Sequence, residues 1–272
     1  MEILLRTSLA KEDYIVRNVN IYYMFDRLFI VSTLPDYVSK IIYIDCDTLY
    51  IGNIAELYDK EIELKYIFAA VRDVWPLSYN KVIGLTNNDL YFQSGIMLVD
   101  LIKWRKFNCE KKLIDLSAKT KHYYFMHDQD MLNVCFRDKI QTLSPKYGMI
   151  YLLRHYSPEE CILFSNKDES HYYTVEEIKE AKADVHVVHY AGDYFGRPWS
   201  FPNACKDNKM WLEYYLKTPW STEPIGNKHS CREWIKYIMK KMMYPFIGKV
   251  WLKKTKRRFE KLNQEMFNIM EE

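Results

Sequence analysis

The run Ile41-Ile42-Tyr43-Ile44-Asp45-Cys46-Asp47-Thr48 constrains the fold more than any other stretch of the chain. An apolar, mostly β-branched run followed by the turn pair Gly52-Asn53 predicts a buried strand of an α/β sheet. Side chains alternate along a strand, so Asp45 and Asp47 are expected on one side and Cys46 on the other. Two hard oxygen ligands then converge at the carboxyl end of a strand, where open α/β sheets hold their ligands. Close carboxylates repel and are best satisfied by a divalent cation between them. For a DxD taken alone, a pair of solvated turn aspartates is the simpler alternative.

The rest of the chain alternates in the same α/β manner. Tyr22, Phe25, Leu28 and Phe29 recur at helical spacing around Arg27, and Leu34-Pro35 ends that segment. A short helix is expected over Ile54–Tyr58, a second buried strand over Ile67–Val71 leading to Asp73, and a third over Tyr91–Asp100 with helical sequence following Trp104. Met126–Arg137 reads as a helix with Asp128, Gln129 and Asp130 in its first turn, where the helix dipole favours acids. Residues 146–153 are compatible with a strand. Thr174-Val-Glu-Glu177 is a capping-box signature, Val185–His189 a further strand, and Asn208–Leu216 a helix. The fold expected is an α/β mixed sheet flanked by helices. Residues 1–222 form its body and residues 223–272 a basic helical tail.

Charge separates these two parts. The formal net charge of +3 hides a tail in which residues 232–261 carry eleven Lys/Arg against two Glu, leaving the body acidic. Trp234, Ile238 and Met242, with Ile235 and Met239 beside them, follow helical spacing, while Arg232, Lys236 and Lys240 occupy another arc. Bulky apolar side chains beside a basic face suit an anionic membrane surface better than nucleic acid, for which no reading module is present. The opening Met1–Tyr14 has no signal-peptide core and no run approaches a membrane span, so a cytoplasmic protein attached peripherally to the inner face of the membrane is expected. Cys46, Cys109, Cys135, Cys161, Cys205 and Cys231 lie far apart, as reduced thiols do, with no zinc-site spacing.

Taken in order, Tyr23-x-x-x-Arg27-Leu28, Tyr43-Ile-Asp-Cys-Asp47, Ala70-x-x-Asp73, Tyr91-Phe-Gln-Ser-Gly95, Trp104-Arg105, His127-Asp-Gln-Asp130-x-Leu-Asn133 and His189-Tyr-x-Gly192 with Pro198-Trp199 resemble the family 8 retaining glycosyltransferases. That family includes bacterial lipopolysaccharide galactosyl- and glucosyltransferases and the glycogenins. The resemblance implies a Rossmann-like, GT-A-type fold that binds UDP-glucose or UDP-galactose with Mn²⁺, Mg²⁺ being the less suited ion, and passes the hexose to a glycan acceptor. It implies Asp45, Asp47 and His189 as metal ligands, and carboxylates plus an imidazole suit manganese. It places Arg27, Asp73, Gln93, Gly192 and Arg197 on the donor. Gln93 stands where the family commonly has Asn, and Arg197 where it commonly has Lys. It places Asp128 and Gln129 at the reacting centre. A neutral amide is a poor nucleophile, which favours same-face attack over a covalent intermediate, with Asp128 as the alternative nucleophile.

Two further expectations compete with this reading. The same strand followed by Asp45-x-Asp47 also resembles the first motif of haloacid-dehalogenase-type phosphatases, which need a later acidic pair; Gly192-Asp193 has Arg197 where the second acid belongs. The family also opens with a strand and helix that cradle uracil and ribose, and only 26 residues precede Arg27 here. A chain lacking that strand is expected to bind uridine nucleotides weakly and to transfer sugar feebly.

Overall fold

The computed structural model describes residues 26–119, 124–165, 167, 170–191, 197–199, 208–223 and 225, with 232, 234–236, 238, 239, 242, 257 and 261 of the tail. Residues 1–25, on which the expected lack of the family's opening strand falls, lie outside the described residues, as do Gly192, Cys205, Cys231 and most of the tail.

Nine-residue β4 (Phe92–Asp100) is the spine, because it is apolar on both faces. It pairs antiparallel with β1 (Lys40–Ile44) on one side and with β3 (Phe68–Arg72) on the other, and β5 (Ile140–Leu143) runs parallel beside β3. Strand alternation sorts the side chains into two cores. Phe68, Ala70, Met97 and Val99 enter one, with Trp104 and Phe136; Ala69, Val71, Ile96 and Leu98 enter the other, with Leu152, Leu153 and Ile178. Each large apolar side chain so buried contributes about 1.5–3 kcal/mol. Helices cover both faces. Asp100 caps the helix Leu101–Lys106 by accepting from Lys103 N at 2.9 Å, and Thr174 with Glu177 forms the expected capping box on the helix Val175–Ala183.

A smaller sheet supplies the other wall of the site. β2 (Thr48–Tyr50) pairs antiparallel with β7 (Val187–His189), and β6 (Met149–Ile150) runs parallel to β7. The register sets His189 opposite Thr48, and Tyr190 N donates to Asp47 O at 2.8 Å.

Several expectations need correction. β1 is half-buried, since β4 is its only partner among the described residues. The strand stops at Ile44, so Asp45-Cys46-Asp47 forms the turn into β2, and turn geometry, not strand alternation, brings the two acids together. Of residues 146–153 only Met149–Ile150 are strand; the helix Tyr151–His155 follows. The segment containing Arg27 is a 3-10 turn, Asp26–Phe29, leading into the short helix Ile30–Thr33. The helix expected from Met126 begins at Asp128, because His127 holds a left-handed φ of 47°.

Candidate active site

The site forms where the two sheets meet, and an irregularity in β4 opens it. Ala70 pairs with Met97 and Arg72 with Phe92, so Gln93-Ser94-Gly95-Ile96 stands against Val71 alone. A bulge of this size frees backbone and re-aims side chains. Gly95 O accepts from Asp45 N at 2.8 Å, which fixes the first acid of the turn. Gly95 also has to lack a side chain: a Cβ there would collide with His189 Cε1 and stand 3.0 Å from Asp45 Oδ2.

Asp45, Asp47 and His189 offer one ligand atom each within 4.8 Å of one another. His189 Nε2 lies 3.1 Å from Asp47 Oδ1 and 3.9 Å from Asp45 Oδ2. Neighbouring ligands on a small divalent cation with bonds of about 2.1 Å stand about 3 Å apart, so the trio fits such an ion after small adjustment. Its oxygen-plus-imidazole chemistry fits as well.

Two arginines balance the carboxylates. Arg27 Nη1 is 2.8 Å from Asp45 Oδ1, and its Nε is 3.0 Å from Asp128 Oδ2 without aiming its N–H there, so the second pairing acts mainly through charge. Tyr43 stacks under the guanidinium at 4.9 Å and donates its hydroxyl to Asp45 Oδ1 at 2.8 Å. Arg197 Nη1 reaches Asp47 Oδ2 at 2.6 Å. Burial opposes the ionised form of Asp47, but the bonds and charges of His189 and Arg197 prevail and hold its carboxyl below the usual range. Asp45, Asp47 and Asp128 outnumber the two guanidiniums that face them.

The first turn of the helix Asp128–Cys135 forms the floor. Burial pushes Asp128 up to about 6 against the pull of Arg27. Gln129 is held at both ends: Oε1 accepts from Ser94 N at 3.0 Å, while Nε2 donates to Asp73 Oδ2 at 2.8 Å and to Tyr91 Oη at 3.0 Å. Burial also raises the carboxyl of Asp73. Asp130 faces away from this pocket, accepting from Tyr79 and Tyr91 hydroxyls at 2.6 and 2.5 Å. Asn133 binds both backbone polar groups of Phe92 at 2.8 Å and so stitches the helix to β4.

The arrangement therefore gathers Arg27, Asp45, Asp47, Asp73, Gln93, Asp128, Gln129, His189 and Arg197 into one connected cluster of hydrogen bonds and ion pairs, while Gly192 lies outside the described residues. Tyr43, Ser94, Gly95 and Asn133 hold that arrangement and were not among the expected site residues. The only sequence signal for them was their place inside the quoted motifs.

The family model "Glycosyl transferase family 8" matches residues 6–201 of this chain. The chain belongs to glycosyl transferase family 8. Among curated relatives of this family 8 chain, general stress protein A of Bacillus subtilis (strain 168) is 29% identical, the match covering 70% of this chain and 62% of the relative. Lipopolysaccharide 1,2-glucosyltransferase of Escherichia coli (strain K12) is 26% identical, over 78% of this chain and 60% of its own length. The chain thus spans about three fifths of the length of these relatives. Among solved structures, an active-site mutant of LgtC superposes with a TM-score of 0.57 at 20% identity, covering 74% of this chain and 69% of that one. The galactosyltransferase LgtC with donor and acceptor sugar analogs gives 0.56 at 19% identity, over 79% and 70%. These likenesses establish the GT-A-type α/β fold. Membership in family 8 displaces the phosphatase alternative, and Arg197 accordingly lies on Asp47, where that alternative needs an acid.

Proposed function

We propose that this glycosyltransferase moves a hexose, glucose or galactose, from a UDP-sugar to a saccharide acceptor with retention of configuration, using a divalent cation, Mn²⁺ before Mg²⁺. The observation that carries the reading is the convergence of Asp45, Asp47 and His189 within 4.8 Å, with Arg27 linking Asp45 to Asp128 at the start of the helix that also holds Gln129. The names of the relatives support the substrate class: one is a lipopolysaccharide glucosyltransferase, and LgtC was solved with donor and acceptor sugar analogs.

In this reading Asp45, Asp47 and His189 hold the cation, which when bound neutralises charge on the departing diphosphate. Arg197, 2.6 Å from Asp47 and half-exposed, would transfer its guanidinium to a phosphate oxygen. Gly192 would let the backbone approach the diphosphate. Arg27, Asp73, Asp128 and Gln129 face the sugar. Gln129 has both ends of its amide engaged, which argues against its acting as a nucleophile and for same-face attack. The bond from the anomeric carbon to the phosphate oxygen breaks while the bond to the acceptor oxygen forms on the same face, and the acceptor's proton passes to the leaving phosphate. Asp128 and Gln129 then stabilise the positive character at the anomeric carbon. The test is transfer from UDP-glucose and UDP-galactose with the product's anomeric configuration read by NMR. An inverted product would overturn the mechanism.

The same proposal assigns residues 1–222 to the transferase and residues 223–272 to a tail that contacts an anionic membrane from its cytoplasmic side. Its support is the helical Trp234, Ile235, Ile238, Met239 and Met242, all exposed, beside Arg232 and Lys236. No helix of the described residues is long and apolar enough to cross a membrane.

A further inference from the structure

Gln93 was expected on the donor sugar, yet its side chain is committed elsewhere. It is only 4% exposed, inside the irregular part of β4. Its Nε2 lies 3.1 Å from the carbonyl oxygen of Gly148, and its Oε1 lies 3.0 Å from His189 Nδ1. A backbone carbonyl only accepts, so the NH₂ end of the amide must face Gly148; turning the amide over would set two acceptors against each other. The amide oxygen also only accepts, which requires a proton on Nδ1. When the imidazole is neutral its one ring proton is therefore on Nδ1 and Nε2 keeps its lone pair; only the doubly protonated ring donates to Asp47, and a cation takes the place of that second proton. Nε2 is the nitrogen 3.1 Å from Asp47 Oδ1 and 3.9 Å from Asp45 Oδ2. A lone pair set against two carboxylates is an arrangement that a cation completes.

We propose that Gln93 is a positioning residue that, anchored on Gly148, fixes His189 as its Nδ1–H tautomer and so presents Nε2 as a metal ligand. The inference rests on the metal reading above and adds to it a residue that touches neither metal nor sugar. Buried donors and acceptors of this kind orient ligand imidazoles, and their loss typically costs 10- to 100-fold in metal affinity.

The test titrates the full chain with MnCl₂ in the absence of nucleotide and sugar, following free Mn²⁺ by electron paramagnetic resonance, with circular dichroism confirming that each variant is folded. Gln93→Leu should weaken binding about 10- to 100-fold. Gln93→Glu, which keeps an acceptor for Nδ1–H but loses the donor to the Gly148 carbonyl, should lose less than Gln93→Leu. Equal losses in Leu and Glu, or none in Leu, would overturn the inference. Asp47→Ala, run in parallel, separates the two levels: if it loses Mn²⁺ while Gln93→Leu does not, only the role of Gln93 fails, and if it binds as the parent does, the metal reading fails beneath it. The tautomer is read independently of any metal, from long-range ¹H–¹⁵N correlations of the neutral His189 ring, assigned by their disappearance in His189→Ala. The Nδ1–H form should dominate in the parent and lose its dominance in Gln93→Leu. An Nε2–H form in the parent would overturn the proposal whatever the titrations give.

Discussion

At the scale of single residues, the site depends on what is absent at Gly95 as much as on what is present at its neighbours. Any side chain there must push His189 or Asp45 aside, since its Cβ would collide with His189 Cε1 and stand 2.9 Å from Nδ1. Gly95→Ala is therefore expected to reduce Mn²⁺ affinity while leaving a folded chain, measured by titration and by circular dichroism; parent-like affinity would show that the ring has room to move. Asp128 supplies a pH prediction. Its folded form is a weaker acid than an ordinary carboxyl, held at about 6 by burial with Arg27 opposing, so the carboxylate is present above that value and lost below it. The transfer rate should fall as pH is lowered through about 6, and Asp128→Asn should be slow and flat across that window. For stability the signs differ between the two acids. Asp128 makes the chain less stable as pH rises from the ordinary carboxyl range to about 6, whereas Asp47, held low, contributes stability above the ordinary range that is lost as pH falls through its folded value.

At the scale of elements, the joint between β2 and β7 leaves no room for an added side chain. Gly52 N and Ile51 N both donate to His186 O, and a Cβ at Gly52 would sit 2.5 Å from His186 Cγ and 2.7 Å from its Cα. Because the second obstacle is backbone, Gly52→Ala cannot be relieved by a rotamer change and should cost about 1–3 kcal/mol in denaturant unfolding. A neutral result would mean that the turn shifts freely. This joint also shows where sequence reading stops. Long apolar segments such as Phe92–Val99 and a capping box such as Thr174 with Glu177 announce themselves locally, through pattern and side-chain chemistry. Of the small sheet only β7 does, within the expected strand Val185–His189; β2 and β6, three and two residues long, carry too little periodicity to be bounded, and the pairing of Thr48 with His189 is non-local. For the same reason the motifs selected Asp45, Asp47 and His189 correctly as neighbours, while the turn that joins the acids was mistaken for strand. The inward turn of Gln93 toward His189 depends on the irregular register of β4, which no residue pattern encodes.

At the scale of the whole molecule, the site lies where the two sheets meet, with Asp45 following β1 of one sheet and Asp47 and His189 held together by the β2–β7 pairing of the other, so metal, donor and fold are expected to be linked. The tail acts at the same scale. Its exposed apolar side chains beside Arg232 and Lys236 should bind anionic vesicles, and the binding should weaken with added salt as the charges are screened. Co-sedimentation that is equal for neutral and anionic vesicles would count against the membrane role. The claim on which the rest depends is that Asp45, Asp47 and His189 hold a cation needed for turnover of a UDP-hexose. Release of UDP from UDP-glucose and UDP-galactose by the full chain, measured with Mn²⁺, in excess EDTA, and after Mn²⁺ is restored, tests it most directly. The prediction is release that requires Mn²⁺, stops in EDTA, returns with the ion and falls to background in Asp47→Ala. UDP release undiminished by EDTA or by Asp47→Ala would contradict it.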